Sequence, residues 1–322
     1  MPTPPPASLP SGDPQNRPDA VQPAGDAPRA FRAGTILVPV GGMAVHFILS
    51  LLVFFAWTVG LAFSLARSEG ISLQPALEEA TRLLTEEWFA RVAAVYSALQ
   101  LLVFVPVLRV LGRQDPRALL LEKPRISDMI PSIPVMIGAM GVTALYFFAL
   151  TALRPVVPFI DTELTNYEAL QATLSGDDHL WIQVLGICLL VPVAEEVLFR
   201  GIIQGELRRA MPEGAAVAIQ ALLFALFHMS FVQSTYVLLP AVLLGLVYAW
   251  TRSLWVPILM HSVFNLMGTV LPRVAEASEA VGTAVVLVEL AFILVGVICL
   301  VWIYTNRRTG PYRAAARKEA HP

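Results

Sequence analysis

VPVAEEVLFR, from Val191 to Arg200, places two adjacent carboxylates and a guanidinium at the end of an apolar run. That run has about the 20 residues that a helix needs to cross a bilayer, where ionised groups are costly to hold. Two later apolar segments each carry one polar cluster, a Phe-x-x-x-His motif at 224–228 and a His-x-x-x-Asn motif at 261–265. The three clusters together predict an active site inside a membrane.

The composition is that of a membrane protein. Of the 322 residues, 56% are hydrophobic and 14% are charged, with a mean hydropathy of +0.67. Soluble domains carry about 25% charged residues. We therefore predict an all-α, polytopic integral membrane protein with membrane lipid as a partner, and no nucleic-acid partner. Cys188 and Cys299 both lie in apolar runs without metal or redox spacing, so we expect them to be packing residues.

Apolar segments recur along the chain after a tail rich in proline and alanine. They run at about 36–66, 92–111, 129–153, 180–199, 214–232, 236–250, 255–271 and 281–304. The pattern predicts about eight transmembrane helices, of which the sixth and seventh are short for a full crossing. We expect residues 1–34 to be a disordered cytoplasmic tail, 35–305 the integral membrane domain, and 306–322 a basic cytoplasmic tail.

The distribution of basic residues predicts the orientation. Lysine and arginine in short loops stay on the cytoplasmic side of a membrane. With the N-terminus inside, seventeen of the 22 lysines and arginines fall in cytoplasmic segments and five fall outside. This asymmetry favours eight helices with both termini in the cytoplasm.

The spacing of the first cluster assigns different tasks to its two carboxylates. Residues four apart share a helix face while adjacent residues diverge, so we expect Glu196 to pair with Arg200 and Glu195 to point elsewhere. Pro192, three residues before Glu195, lacks a backbone donor and can kink the helix, which opens space for water or a substrate backbone. A free carboxylate beside that space is a candidate general base.

The other two clusters complete a hydrolytic site. At about 1.5 Å per helical residue, all three clusters lie at comparable depths from the predicted cytoplasmic ends. They can therefore meet in one cavity that opens to the cytoplasm. We expect His228 to orient an attacking water with Glu195, and His261 with Asn265 to donate hydrogen bonds to a developing oxyanion. This is a complete set for hydrolysing a peptide bond.

Each cluster also has a purely structural interpretation. The pair at 195–196 could be a charge pair at a helix end, His228 could be a packing residue, and His261 with Asn265 could be a hydrogen-bonding pair between helices. The joint pattern on the fourth, fifth and seventh predicted helices favours the catalytic interpretation.

Three other residues are expected to have no catalytic task. Phe224 and His46 are predicted to be packing residues. Glu289 lies in the last predicted helix without an identifiable partner, and we expect it near the outer membrane interface.

The ordered motifs resemble a known protein family. Glu-Glu-x-x-x-Arg at 195–200, Phe-x-x-x-His at 224–228 and His-x-x-x-Asn at 261–265 look like the CPBP family of intramembrane proteases. This family contains CAAX proteases and bacteriocin-processing (Abi) enzymes, and it is related to the Ras-converting CAAX endopeptidase. The resemblance covers roughly 180–271, the protease-like core of the chain.

The resemblance implies a role for each residue of the three motifs. Glu195 with His228 would activate water, Glu196 with Arg200 would hold the site together, and His261 with Asn265 would form the oxyanion site. The implied activity is that of an intramembrane endopeptidase acting on a membrane-associated protein or peptide. The expected location is the plasma membrane of a prokaryote.

The resemblance leaves the metal question open. The family is usually labelled metalloprotease, but a metal-independent glutamate mechanism is also described for its Glu and His residues. The HExxH motif of familiar zinc proteases is absent from this sequence. A zinc ion held by Glu195, His228 and His261 would require all three to converge within about 2.0–2.2 Å of one ion.

Other functions fit parts of the sequence. Acids and histidines in membrane helices also form proton relays, so a proton-coupled transporter is one alternative. A catalytically silent scaffold or immunity protein of the same fold is another. Haem held by His228 and His261 is a further one.

Overall fold

Backbone polar groups within a bilayer must be hydrogen-bonded internally, and this chain satisfies them with helices. The computed structural model describes residues 30–114, 119–174, 179–272 and 278–308, and those residues include no β-strand. Most of both predicted tails lies outside the described residues.

The helices follow one another with short connections. They are α1 (Ala33–Glu69), α2 (Leu73–Arg82), α3 (Phe89–Gln114), α4 (Ile126–Leu153), α5 (Pro158–Leu174), α6 (Leu180–Ala210), α7 (Glu213–Phe227), α8 (Phe231–Thr251), α9 (Trp255–Thr269) and α10 (Glu279–Thr305). Two segments of α6, Val184–Leu190 and Val197–Gln204, are π-helical, and a π-helical turn also follows α2.

All eight predicted apolar segments fall on helices. Six of these helices, α1, α3, α4, α6, α8 and α10, are long and apolar enough to cross a membrane. The expectation of a short sixth segment is wrong, because α8 has 21 residues. The seventh, α9, has only 15 residues. The count of eight crossings and the cytoplasmic termini stay predictions.

The helix formed by the fifth apolar segment ends before that segment does. This helix, α7, has 15 residues and ends at Phe227. The chain then turns at Met229, which has a positive φ of 50°. Ser230 starts the next helix by accepting a hydrogen bond from the backbone of Gln233. The break places His228 just beyond the end of a helix rather than in its middle.

Two helices lie in regions that the apolar pattern treats as loops. In α2, Ala76 and Ala80 pack on Ala62 of α1, because small side chains let the two helices approach closely. In α5, Leu164 and Tyr167 form a second small cluster.

The central helix is α6. In the most apolar 18-residue stretch of α6, 50% of the residues are buried, compared with 11% in the corresponding stretches of α1 and α10. Leu198, Phe199, Ile202 and Ile203 are almost completely inaccessible and form part of the main hydrophobic core. A helix that is surrounded on several sides can hold polar groups away from lipid, and α6 carries the Glu-Glu-x-x-x-Arg motif.

Candidate active site

The π-helical turn before Pro192 leaves one backbone carbonyl, that of Ile187, without a backbone donor. The amide of Val191 donates to the carbonyl of Gly186, five residues back. In this register the next donor would be residue 192, but proline has no N–H. The carbonyl of Ile187 instead accepts a hydrogen bond of 2.9 Å from Nδ2 of Asn265 on α9. Where the sequence predicts a kink that admits water or a substrate backbone, the structure has a π-helical register with a side chain inserted from a neighbouring helix.

Glu196 is the centre of a buried hydrogen-bonded network. Its Oε1 accepts from Nη1 of Arg200 at 2.6 Å and from Nδ1 of His261 at 2.8 Å. Both Glu196 and Arg200 are fully inaccessible to solvent. Arg200 also donates through Nη2 to the carbonyl of Ala241. The pairing of residues 196 and 200 follows the four-residue spacing in the sequence, whereas the contact with His261 comes from another helix.

This network determines which face of His261 is available. A carboxylate that is paired with an arginine only accepts hydrogen bonds, so Nδ1 of His261 carries the hydrogen. The opposite nitrogen, Nε2, lies 3.7 Å from Oε2 of Glu195. That distance is too long for a direct hydrogen bond, but one water molecule could contact both atoms.

His228 is oriented by the end of α7. Its Nδ1 lies 2.9 Å from the carbonyl oxygen of Phe224. Carbonyl groups in the last turn of a helix lack backbone donors, and here the histidine side chain donates to one of these carbonyls. Because a carbonyl only accepts, Nδ1 carries the hydrogen, which leaves Nε2 of the neutral ring as a hydrogen-bond acceptor.

Phe224 joins the three motifs, which is more than the packing task expected from sequence. Its ring centroid is 5.1 Å from that of His228 and 5.7 Å from that of His261, in edge-to-face geometry. The guanidinium carbon of Arg200 lies 4.7 Å from the same centroid. The ring thus contacts one residue of each motif and fixes their separation.

The predicted residues divide into two groups. Glu195, His228, His261 and Asn265 line one cavity of about 1050 Å³. Glu196 and Arg200 do not line that cavity, and Glu196 contacts its wall through His261. The structure therefore brings the three motifs together around one space, as the depth argument expects.

Sequence reasoning did not place several other polar residues at the same cavity. Among them are His46 on α1, Tyr96 on α3 and Glu289 on α10. Glu289, expected near the outer membrane interface, is 6% exposed and lines the cavity, and its depth in the membrane stays a prediction. His46 does pack, with its ring centroid 4.3 Å from that of Phe227, but it also faces the cavity. No sequence signal could have placed them there, since their helices carry none of the three motifs.

The donor atoms do not form a metal site as they are placed. Among the described residues, no group of three or more His, Cys, Asp or Glu side chains is spaced to hold a metal ion. Nδ1 of His261 is occupied by Glu196, and Nδ1 of His228 by a backbone carbonyl. The zinc site stays a prediction.

The motifs coincide with a match to known proteins. Residues 177–267 match the family model described as "Type II CAAX prenyl endopeptidase Rce1-like". This segment, which carries the three motifs, is therefore similar to CAAX prenyl endopeptidases. The residues shared with the family are thus those of α6 to α9, whereas α1 to α5 and α10 lie outside the match.

One curated relative is similar to this chain over a stretch of comparable length. The membrane-embedded CAAX protease MroQ of Staphylococcus aureus (strain USA300) is 33% identical over 90 residues. The match covers 26% of this chain and 36% of that relative, so the chain spans about a third of the relative's length in the alignment. No solved structure matches this chain. Both comparisons thus find similarity to CAAX proteases over part of this chain.

Proposed function

We propose that this protein is an intramembrane endopeptidase that hydrolyses a peptide bond in a membrane-associated protein or peptide. The observation that carries the proposal is that four polar side chains, from α6, α9 and the end of α7, line one cavity. In that cavity Oε2 of Glu195 lies 3.7 Å from Nε2 of His261. The similarity of residues 177–267 to CAAX prenyl endopeptidases supports the same activity.

Glu195 is the proposed general base. Its carboxylate lines the cavity, while the neighbouring carboxylate of Glu196 is consumed by the buried ion pair. A water between Glu195 and Nε2 of His228 would pass a proton to the carboxylate as its oxygen attacks the scissile carbonyl. Glu195 would then return that proton to the leaving amine.

Asn265 and His261 are the proposed donors to the tetrahedral oxyanion. Each amide nitrogen has two hydrogens, and Asn265 uses one of them on the carbonyl of Ile187. The other is available for the substrate oxygen. His261 donates from Nε2 only while its ring carries both protons, because its Nδ1 hydrogen is bound to Glu196.

Glu196 and Arg200 are proposed positioning residues. They hold His261 in one tautomer and one orientation, in the way that outer hydrogen-bond partners fix a catalytic histidine. The substrate reaches the site within the membrane, and we propose a prokaryotic plasma membrane with the cavity open towards the cytoplasm. If zinc takes part, Glu195, His228 and His261 are its proposed ligands.

Cleavage assays with single variants test these roles. Purified wild type, Glu195→Gln and His228→Ala would be given a panel of membrane-tethered peptides, and products identified by mass spectrometry. We expect the two variants to lose at least about a hundredfold in rate, which is the usual range for a general base. Glu69→Gln and His179→Ala change exposed residues of the same types and should cleave like wild type.

Two outcomes of this assay decide between mechanisms. Undiminished cleavage by Glu195→Gln would overturn its assignment as the base. Loss of cleavage on chelation, restored by zinc, would support a metal mechanism, whereas indifference to chelators would support water activation by the carboxylate alone.

A further inference from the structure

Glu289 is a carboxylate in the active-site cavity that the proposed hydrolysis does not use. It is 6% exposed and lines the same cavity as Glu195, but it belongs to α10, outside the segment shared with the CAAX protease family. Gly282, Val285 and Val286 line the cavity from the same helix at spacings of three and four residues. One face of α10 is thus a wall of the site.

Close packing against α4 fixes how α10 is rotated about its own axis. Gly138 and Gly141 of α4 lie against the backbone of α10, where a Cβ atom would collide with the carbonyl oxygens of Phe292 and Glu289. Helices that approach this closely cannot rotate without a clash. The side chain of Glu289 is therefore held towards the cavity rather than free to turn to lipid.

The other buried acids of the described chain have arginine partners. Glu196 pairs with Arg200. Asp128 pairs with Arg125, and Glu206 pairs with Arg209.

Glu289 differs from those acids. Within residues 30–114, 119–174, 179–272 and 278–308, its carboxylate makes no hydrogen bond or ion pair, although it is as buried as they are. A carboxylate held in a membrane helix without a partner is costly, and such residues mark binding sites for ions or substrates.

The charge of the cavity indicates what would bind there. Among the described lining residues the formally charged side chains are Glu195 and Glu289, and neither lysine nor arginine is present. Two acids in a largely apolar space favour a cation and disfavour an anion.

We propose that Glu289 binds the side chain of a lysine or arginine in the substrate peptide and so selects basic substrates. This inference rests on the proposed function, because it names the substrate class of that site. The carboxylate would make a charge-assisted hydrogen bond with the ammonium or guanidinium group, while Glu195 acts at the scissile bond.

Peptide binding tests the proposal without depending on turnover. Fluorescent membrane-tethered peptides would carry one lysine at successive positions, each matched by a peptide with norleucine, which has a similar stem and no charge. Anisotropy would give Kd for each peptide with purified wild type, Glu289→Gln, Glu289→Asp and Glu279→Gln. Glu279 is exposed in the first turn of the same helix and serves as the matched control.

We expect wild type to bind the best lysine peptide about tenfold tighter than its norleucine partner, the size of a modest close charge pair. Glu289→Gln should reduce this ratio to about one, while Glu289→Asp and Glu279→Gln keep a lysine preference. A wild-type ratio near one at every position, or an unchanged ratio in Glu289→Gln with a native helical spectrum, would overturn the proposal.

Cleavage of the same peptides separates this inference from the proposed function. Cleavage by wild type without any lysine preference in binding defeats the role of Glu289 alone. A lysine preference that Glu289→Gln abolishes, in a protein that cleaves none of the peptides, defeats the endopeptidase and keeps the cation site.

Discussion

Replacing Arg200 with methionine should strongly destabilise the protein, because it leaves the carboxylate of Glu196 buried without its cation. Arg200 is fully inaccessible, lies 2.6 Å from Glu196, donates to the carbonyl of Ala241 and covers the ring of Phe224. Removing one partner of a buried pair costs about 3–5 kcal/mol. Since native proteins are stable by about 5–15 kcal/mol, Arg200→Met should lose a large fraction of the total.

The double variant should be more stable than Arg200→Met alone. Glu196→Gln combined with Arg200→Met removes both charges, so most of the loss should be recovered, as buried pairs replaced together are often neutral. Reversible unfolding in mixed micelles, followed by circular dichroism, would give the free energies of a double-mutant cycle. Arg82→Met is the control, since Arg82 is exposed beside Glu79 and its loss should change stability far less. Strictly additive losses, or a stable Arg200→Met, would refute the reasoning.

Two further predictions concern packing and surface charge. Gly141→Ala should cost about 1–3 kcal/mol in the same unfolding assay, because its Cβ would collide with the backbone of α10. Gly60→Ala, with open space around its Cβ, should be neutral or stabilising by about 0.5–1 kcal/mol, and equal effects of the two changes would contradict the predicted close packing. Burial acts to raise the pKa of Glu122, but hydrogen bonds from Arg308 and Arg252 outweigh it and hold that pKa below its usual range. The stabilisation from Glu122 should therefore be present at neutral pH and be lost as the pH falls through that lowered pKa, so wild type and Glu122→Gln should differ in thermal stability at neutral pH and converge in acid.

Helical geometry explains which parts of the site could be predicted from sequence. The pairing of Glu196 with Arg200 depends on a four-residue spacing within one helix, so it can be read from the order of residues. The grouping of the three motifs could be predicted because their depths in the membrane are comparable and each falls on an apolar helix. The catalytic roles of these residues stay predictions.

Other features of the site and the fold could not be predicted from the sequence, because they depend on local breaks in helical geometry and on contacts between helices. Nothing near Asn265 indicates that its amide bonds the carbonyl of Ile187, since that carbonyl lacks a donor only because of a π-helical register and a proline. The break between α7 and α8 was also hidden, because apolar residues continue through the turn at Met229.

The order and hydropathy of the residues by themselves determined that this protein is a helical membrane protein and that its polar motifs lie on three separate helices. Only the tertiary structure decided that Glu289 and His46 line the same cavity as Glu195. The physical reason is that periodicity defines the faces of a helix, whereas the direction of each face depends on how side chains such as Gly141 let neighbouring helices pack.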